Sequence, residues 1–562
     1  MAMFWLMLVV FVCFSVGFGQ ELSCSTVKSA WRSKRLTESE VPPSAVDGND
    51  LRICPKDNGK QCCSRRMEDR FASLARGDFD QAVSKKVEEL GNLFAVQAKI
   101  FDDYFQELIK KSQQDLDSTF KKIYGVHYEQ NTKLFMDFFV DLTSYYRGTT
   151  GSDINGIMDA FFTKLMGRMF QIMNTQYKFT ESYLSCVSRQ VDELRPFGEV
   201  PEKLKPQIRK VLIHARTFSK ALFDGRDVIH MLKTAVSASE NCKNHLVKLK
   251  YCSWCKAMTS LKPCYKFCTD VHKSCLVDIT RVNTLWQGYI GALNDLLEKQ
   301  TGPTNIQDVI SRLNLKISLG IMNFQDSQKM EEVKKKVFQA AECGSPRVSK
   351  RSTADFFIEG SDRQRRNSDM MTLARTDSSK GSFDKLTGSF KSKMKAADNF
   401  WSTLPDNVCG DISVKQNSDC WNGVGKGSYT SPGDGGNDIT EDIKREVHQA
   451  IVKLREITDQ LNAAINGEEI IDNDVSGSGS GSGSASGDEG SGINEITEMP
   501  ENSVTDNPGT NLVDDEEASD NVFGGGVGKP SPGKRRNIAS QHHAEVWLLV
   551  SLLWAFLGIL IA

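Results

Sequence analysis

The chain has 562 residues, 39% of them hydrophobic and 25% charged, with a formal net charge of −2. That length holds a few domains or one large helical unit with appendages, and the near-neutral balance excludes both a strongly basic nucleic-acid binder and a uniformly disordered chain. Fifteen cysteines, with an apolar stretch near each terminus, argue against a cytosolic protein.

The uncharged run Met3 to Phe18, with Gly17 and Gly19 at the −3 and −1 positions before Gln20, predicts a secretory signal peptide over 1–19. No Lys or Arg lies near Met1. The alternative, a signal anchor, is disfavoured because the run is short for a span of about 20 residues. From Phe79 the apolar residues recur in steps of three and four through Val83, Val87, Leu90, Phe94, Ala98, Phe101, Phe105 and Leu108, which predicts a long helix with one buried stripe. A second helix begins after Ser152 and Asp153, N-cap residues by type, and runs through Ile157, Phe161, Leu165, Met169, Met173 and Tyr177, ending before Pro196. Further helical periodicity covers about 204–222, 226–240, 276–299, 304–342 and 438–465. The aromatic and Met stripes read as the core between helices rather than as the lining of a ligand pocket. No run of alternating strands is present, so the fold class is all-α.

Two stretches break this pattern. Residues 346–400 are rich in Ser, Lys, Arg and Asp with little periodicity and are read as a mobile loop inside the core domain, 20–465. Within them Arg363-Gln364-Arg365-Arg366 fits the R-x-[KR]-R pattern of furin-like convertases, with Lys350-Arg351 as a weaker dibasic alternative; the bland alternative is a solvated basic cluster. Residues 466–531 are rich in Gly, Ser, Asp and Glu and are read as a disordered stalk. Residues 466–528 carry 15 acidic and no basic side chains, so a net-positive body precedes an acidic stem. In that stem the dipeptides Ser476-Gly477, Ser478-Gly479, Ser480-Gly481, Ser482-Gly483, Ser486-Gly487 and Ser491-Gly492 are flanked by Glu468, Glu469, Asp472 and Asp474 on one side and by Asp488 and Glu489 on the other. A secreted Ser-Gly with acidic neighbours resembles the acceptor for xylose, the first sugar of a glycosaminoglycan; glycine supplies the backbone freedom a transferase needs. The alternative is a plain Gly/Ser spacer. No Asn-x-Ser/Thr sequon occurs.

Val546 to Ala562 are 17 uncharged residues behind a polar spacer, Lys534 to Glu545. Small residues, polar spacer and apolar tail predict a GPI-attachment signal over 532–562. Ser531 is the favoured acceptor, despite Pro532 after it, with Asn537 and Gly524 to Gly526 as alternatives. A tail anchor would conflict with the signal peptide.

With Cys13 inside the signal peptide, 14 cysteines remain, an even number that predicts seven disulfides in a secreted chain. Spacing alone leaves their connectivity open. The cluster Cys252-x2-Cys255-x8-Cys264-x3-Cys268 also fits a zinc site by spacing, and Cys252-Ser-Trp-Cys255 a redox pair. Secretion, the even count and the lack of a strand–helix alternation favour structural disulfides, with no metal and no cofactor.

These residues resemble the glypican family. Its cysteine signature, C-x2-C-x-G-[apolar]-x4-P-C-x2-[FY]-C-x2-[apolar]-x2-G-C, is met by Cys252, Cys255, Met258, Pro263, Cys264, Phe267, Cys268, Val271 and Cys275; Ala257 and Ser274 stand where the pattern has glycine. Cys420-Trp421-Asn422-Gly423, the cysteine number, the Ser-Gly stalk and the apolar tail are similar to the family as well. The resemblance implies an elongated all-α disulfide-cross-linked core. It implies the pairs Cys24–Cys62, Cys54–Cys252, Cys63–Cys255, Cys186–Cys343, Cys242–Cys275, Cys264–Cys420 and Cys268–Cys409. It further implies a GPI-anchored heparan sulfate proteoglycan on the outer leaflet of the plasma membrane. Its partners would be heparin-binding growth factors and morphogens of the Wnt, Hedgehog, BMP and FGF classes, and processing near Arg363 and Arg366 would follow. A GPI-anchored receptor or adhesion ectodomain with a plain spacer is the competing expectation. A secreted enzyme is a third; no G-x-S-x-G, H-E-x-x-H or Walker A pattern supports it.

Overall fold

Ser64 starts the dominant element: its Oγ accepts the Met67 N–H at 3.4 Å, and the helix then runs from Arg65 to Tyr124 before Gly125 ends it. At 1.5 Å per residue this single helix is about 90 Å long. The computed structural model describes residues 23–56, 60–301, 305–339, 341–348, 382–415, 419–431 and 443–468. In chain order the longer helices are α1 (Ser25–Ser33), α2 (Arg65–Tyr124), α3 (Thr132–Arg147), α4 (Ile154–Met173), α5 (Glu181–Arg189), α6 (Val200–Ala235), α7 (Glu240–Lys250) and α8 (Tyr265–Cys275). After them come α9 (Asn283–Gln300), α10 (Ile306–Ser311), α11 (Leu313–Phe324), α12 (Ser327–Gln339), α13 (Ser382–Ala397), α14 (Phe400–Ile412) and α15 (Arg445–Ile465). Shorter helical turns link several of them. Among the described residues the one sheet is a pair of two-residue antiparallel strands, β1 (Tyr177–Lys178) and β2 (Arg347–Val348).

The core forms along α6. Helices α2 and α15 both run beside it, and α9 closes against α15. The stripe Phe71, Ala75, Phe79, Val83, Val87, Leu90, Phe94, Ala98, Phe101 and Phe105 is buried throughout. Phe101 meets Phe218 of α6 edge-on, with ring centroids 4.6 Å apart, and Phe218 in turn meets Phe390 of α13 at 5.1 Å. Trp286 of α9 sits against Phe94 and Trp401, and its indole N–H donates to the Ala397 carbonyl at 2.9 Å. One close approach sets the α6–α9 crossing: Tyr289 is buried with its hydroxyl donating to Ala221 O at 2.9 Å, and it occupies the space a Cβ on Gly225 would need.

Several element boundaries differ from the sequence expectations. Asp153 does cap α4, its side chain accepting the Gly156 N–H at 2.9 Å, but α4 ends at Met173. The stretches 204–222 and 226–240 are one helix, α6; Gly225 inside it is a packing residue and not a break. The stretch 304–342 divides into α10, α11 and α12: Asn305 caps the start of α10 by taking the Asp308 N–H at 2.8 Å, Arg312 separates α10 from α11, and Asp326 takes the N–H groups of Gln328 and Lys329 at the start of α12. Helix α3 has no counterpart in the sequence expectations, although Phe135, Phe138, Phe139, Leu142, Tyr145 and Tyr146 lie on its buried side. The 346–400 loop is corrected at its far end: α13 is a helix with Phe383, Phe390, Met394 and Ala397 buried, a helical spacing hidden among many Ser and Lys residues.

The two departures from the cysteine signature behave differently. Ala257 follows the helical turn Cys252–Cys255 with φ 58°, and its N–H and that of Met258 return to Trp254 O and Ser253 O. That is a left-handed C-terminal cap where glycine is the unstrained residue. Ser274 lies inside α8 with its hydroxyl on Val271 O, so the backbone asks for no glycine there.

Candidate functional site

Two regions combine the chemistry-bearing residues. The first is the lobe where the amino-terminal segment meets α2, α7, α8 and α14. All seven bridges are closed in the structure, as Cys24–Cys62, Cys54–Cys252, Cys63–Cys255, Cys186–Cys343, Cys242–Cys275, Cys264–Cys420 and Cys268–Cys409, the same pairs the family resemblance implies. Six of them gather around this lobe, and Cys186–Cys343 ties α5 to the segment before β2. Inside the lobe the buried Glu68 carboxylate accepts the backbone N–H groups of Arg52, Ile53 and Cys54 at 2.7, 2.7 and 2.8 Å. These are charge-assisted bonds that fix an otherwise irregular segment to α2. Burial raises the Asp78 carboxyl, but hydrogen bonds from Lys250 and Tyr251 outweigh it and the net shift is downward. Cys268, His272 and Cys409 lie together, yet both sulfurs are spent in one disulfide and the imidazole Nδ1 lies 2.9 Å from the Cys268 carbonyl. Disulfide sulfur lacks the thiolate charge a metal ion needs, and the four cysteines of the zinc-like spacing, Cys252, Cys255, Cys264 and Cys268, are each joined to a different partner, Cys54, Cys63, Cys420 and Cys409. Beside this lobe an open cleft of about 550 Å³ is lined by Lys86, Tyr265, Phe400, Asp406, Asp411 and Lys415. Lys86 pairs there with Asp411 at 3.1 Å, Tyr265 donates to Asp406 at 2.9 Å, and Lys415 lies over the Tyr265 ring.

The second region is where the chain leaves the core. Helix α15 lies antiparallel to α6 and is fastened at both ends. The Lys444 ammonium donates to Ala235 O, Ser237 O and Ser237 Oγ, each at 2.9 Å, neutralising the carboxyl end of α6. At the other end Gly467, with φ 83°, and Glu468 return their N–H groups to Ala464 and Ala463, and Arg209 of α6 donates to the Gly467 carbonyl at 2.7 Å. Between these ties Val447, Ala450, Leu454, Ile457, Leu461 and Ala464 fill the seam. Under the exit lies His214, buried, its pKa lowered to about 4 by loss of hydration and by Lys210. The tether residues Glu68, Arg209 and Lys444 escaped the sequence analysis. For Glu68 a signal existed: it sits three and seven residues before Phe71 and Ala75, on the apolar stripe itself.

The first acceptor candidate, Ser476, follows Glu468 by only eight residues. It and Ser478, Ser480, Ser482, Ser486 and Ser491 lie outside the described residues, as do Arg363, Arg366, Ser531, the signal peptide and the apolar tail. Among the described residues no helix is long and apolar enough to cross a membrane.

The Glypican family model matches residues 7–555. The chain belongs to the glypican family. It is 33% identical to chicken glypican-1 over 474 residues, 81% of this chain and 83% of that protein. Mouse glypican-2 is 29% identical over 84% of this chain and 85% of its own. Among solved structures, carboxy-terminally truncated glypican-1 superposes with a TM-score of 0.68 at 26% identity, over 80% of this chain and 100% of that one. A Dally-like protein solved in complex with O-palmitoleoyl serine gives a TM-score of 0.60 at 29% identity, over 80% of this chain and 100% of that one. Glypicans are cell-surface proteoglycan core proteins that carry heparan sulfate and bind extracellular ligands, and this chain is a core protein of that family.

Proposed function

We propose that this glypican is held on the outer leaflet of the plasma membrane by a GPI anchor at Ser531 and carries heparan sulfate on Ser476, Ser478, Ser480, Ser482, Ser486 and Ser491. Its glycan chains gather basic growth factors and morphogens of the Wnt, Hedgehog, BMP and FGF classes and present them to receptors. Polyanion binding of that kind weakens with salt, by analogy with nucleic acids. Because the Dally-like neighbour was solved with O-palmitoleoyl serine, acyl-bearing ligands belong among those proposed for the core. The observation that carries the reading is the run of Ser-Gly pairs between acidic flanks, beginning eight residues beyond the tethered Glu468. The test is a gel of the protein from cells, with and without heparan lyase. A broad high-mass species should collapse to a discrete band, and replacing the six serines by alanine should do the same without enzyme. An unmodified protein that already runs as a discrete band rejects glycan attachment and leaves a receptor with a plain spacer.

A further inference from the structure

The surface around the chain exit is cationic. Arg209 spends one guanidinium N–H on the Gly467 carbonyl, a neutral partner. Lys210 is exposed one residue further along α6 and lies one helical turn before His214. Lys299 is exposed at the end of α9, next to Gln300, whose side-chain amide donates to the His214 carbonyl at 3.4 Å. Both lysines are close enough to His214 to disfavour its charged form. Lys316 of α11 extends the row: its ammonium donates to the side chain of Gln207, which shares the Lys210 side of α6.

None of Arg209, Lys210 and Lys299 is paired with a carboxylate among the described residues. Of the nearby acids, Glu298 pairs with Lys391 at 2.8 Å and Asp308 with Arg312 at 2.7 Å, although Asp308 also acts on Lys316 at longer range; Glu468 is exposed at the exit itself. Some other exposed lysines sit in intrahelical pairs, for example Lys99 with Asp103 and Lys133 with Asp137; what distinguishes Lys210 and Lys299 is that they approach the same buried imidazole from two helices. Cations that converge from α6, α9 and α11 repel one another, and a mobile polyanion relieves that repulsion.

We propose that Arg209, Lys210, Lys299 and Lys316 form a docking surface for a sulfated glycosaminoglycan, occupied in the mature protein by the core-proximal part of the chain on Ser476. The occupant, though not the surface, rests on the attachment reading above. Ser476 is eight residues from Glu468, a reach of at most about 29 Å. The tethered glycan therefore meets the cations at a high effective concentration, with no need for strong intrinsic affinity. Several sulfates and carboxylates spaced along one flexible polymer match cations drawn from three helices better than a single small anion does.

Two measurements test this. The first uses the full core with all six serines replaced by alanine and a heparin octasaccharide as probe, titrated at several salt concentrations. The variant K210Q/K299Q leaves the Arg209 tie intact. It should bind roughly tenfold more weakly and lower the salt slope by about two, whereas K99Q/K133Q should bind as the parent does. Equal affinity in K210Q/K299Q and the parent, or an equal loss in K99Q/K133Q, overturns the surface. Thermal melts of each variant show whether the fold is intact; the single variant K299Q at the exposed end of α9 repeats the test if the double variant melts early. The second uses the glycan-bearing protein and compares amine acetylation of Lys210 and Lys299 before and after heparan lyase. Reactivity should rise after digestion. Unchanged reactivity, when the gel shift proves that glycan was present and removed, overturns the occupant. A protein with no gel shift fails the attachment reading instead, and the heparin titration still decides the surface.

Discussion

At the scale of single residues, the informative positions are those whose surroundings oppose their chemistry. Ala257 holds a left-handed backbone that costs an L-residue about 1–2 kcal/mol. Glycine removes that cost but adds freedom to the unfolded chain, worth about 0.4–1 kcal/mol. Ala257→Gly should therefore stabilise the core by about 0.5–1 kcal/mol, seen as a higher denaturant midpoint with disulfides intact. Ser274→Gly should destabilise by a similar amount, since it places glycine in a helix. His214 and His272 are both buried and both have pKa values lowered to about 4, chiefly by loss of hydration; Lys210 adds to the effect at His214 and Lys250 at His272. Below about pH 6.5 the unfolded chain binds protons that the folded core refuses, so stability falls as pH drops towards 4 and levels off beneath it. Each imidazole accounts for roughly 3 kcal/mol across that window. Unfolding curves at pH 7 and pH 4.5 should show the loss, and His214→Gln should remove part of it while leaving the remainder to His272.

At the scale of elements, legibility followed periodicity. Helix α2 is readable from Phe79 to Leu108, where its stripe repeats without interruption, although the helix itself begins at Arg65 and runs on to Tyr124. Helix α3 was not, because adjacent aromatics at Phe138–Phe139 and Tyr145–Tyr146 blur its apolar side when read as a linear pattern. Helix α13 was masked by composition: Ser, Lys and Asp suggest a loop until Phe383 and Phe390 find Tyr104 and Phe218 as partners. Gly225 is ambiguous in sequence, since a glycine within a helical pattern signals either a break or a close approach, and only packing decides. Here it is an approach: an added Cβ would lie 2.1 Å from the Tyr289 hydroxyl. Gly225→Ala gains helix propensity of about 1 kcal/mol yet should lose about 1–3 kcal/mol net through overpacking. Adding Tyr289→Phe should recover part of that loss, because the ring carbon behind the hydroxyl remains 2.8 Å away. A double-mutant cycle of melting temperatures measures the coupling. The exit site was legible only as the start of a biased stretch; the ties from Arg209 and Lys444 join residues more than 200 positions apart in sequence and leave no local pattern.

At the scale of the whole molecule, the disulfides determine what a cut chain would do. A convertase cut after Arg366 leaves Cys343 on one side and Cys409 and Cys420 on the other. Cys186–Cys343 lies wholly in the first fragment, while Cys264–Cys420 and Cys268–Cys409 span the cut. A glycan-free protein from convertase-competent cells should therefore run as one species without reductant and as two with it. Arg363→Ala with Arg366→Ala should restore a single reduced band. One reduced band in the unmutated protein rejects the cut, and fragments that separate without reductant reject the tether.

The placement of the last bridge also governs how the protein answers mechanical load. Tension drawn through the stalk reaches first the Arg209–Gly467 hydrogen bond, then the apolar seam of α15, then the Lys444 tie, and it halts at Cys420, covalently joined to Cys264. Only residues 421–467 can pay out before covalent bonds take the strain, a length of about 160 Å when drawn straight. The seam that holds α15 is thus the part of the core that can lengthen before the covalent framework is loaded.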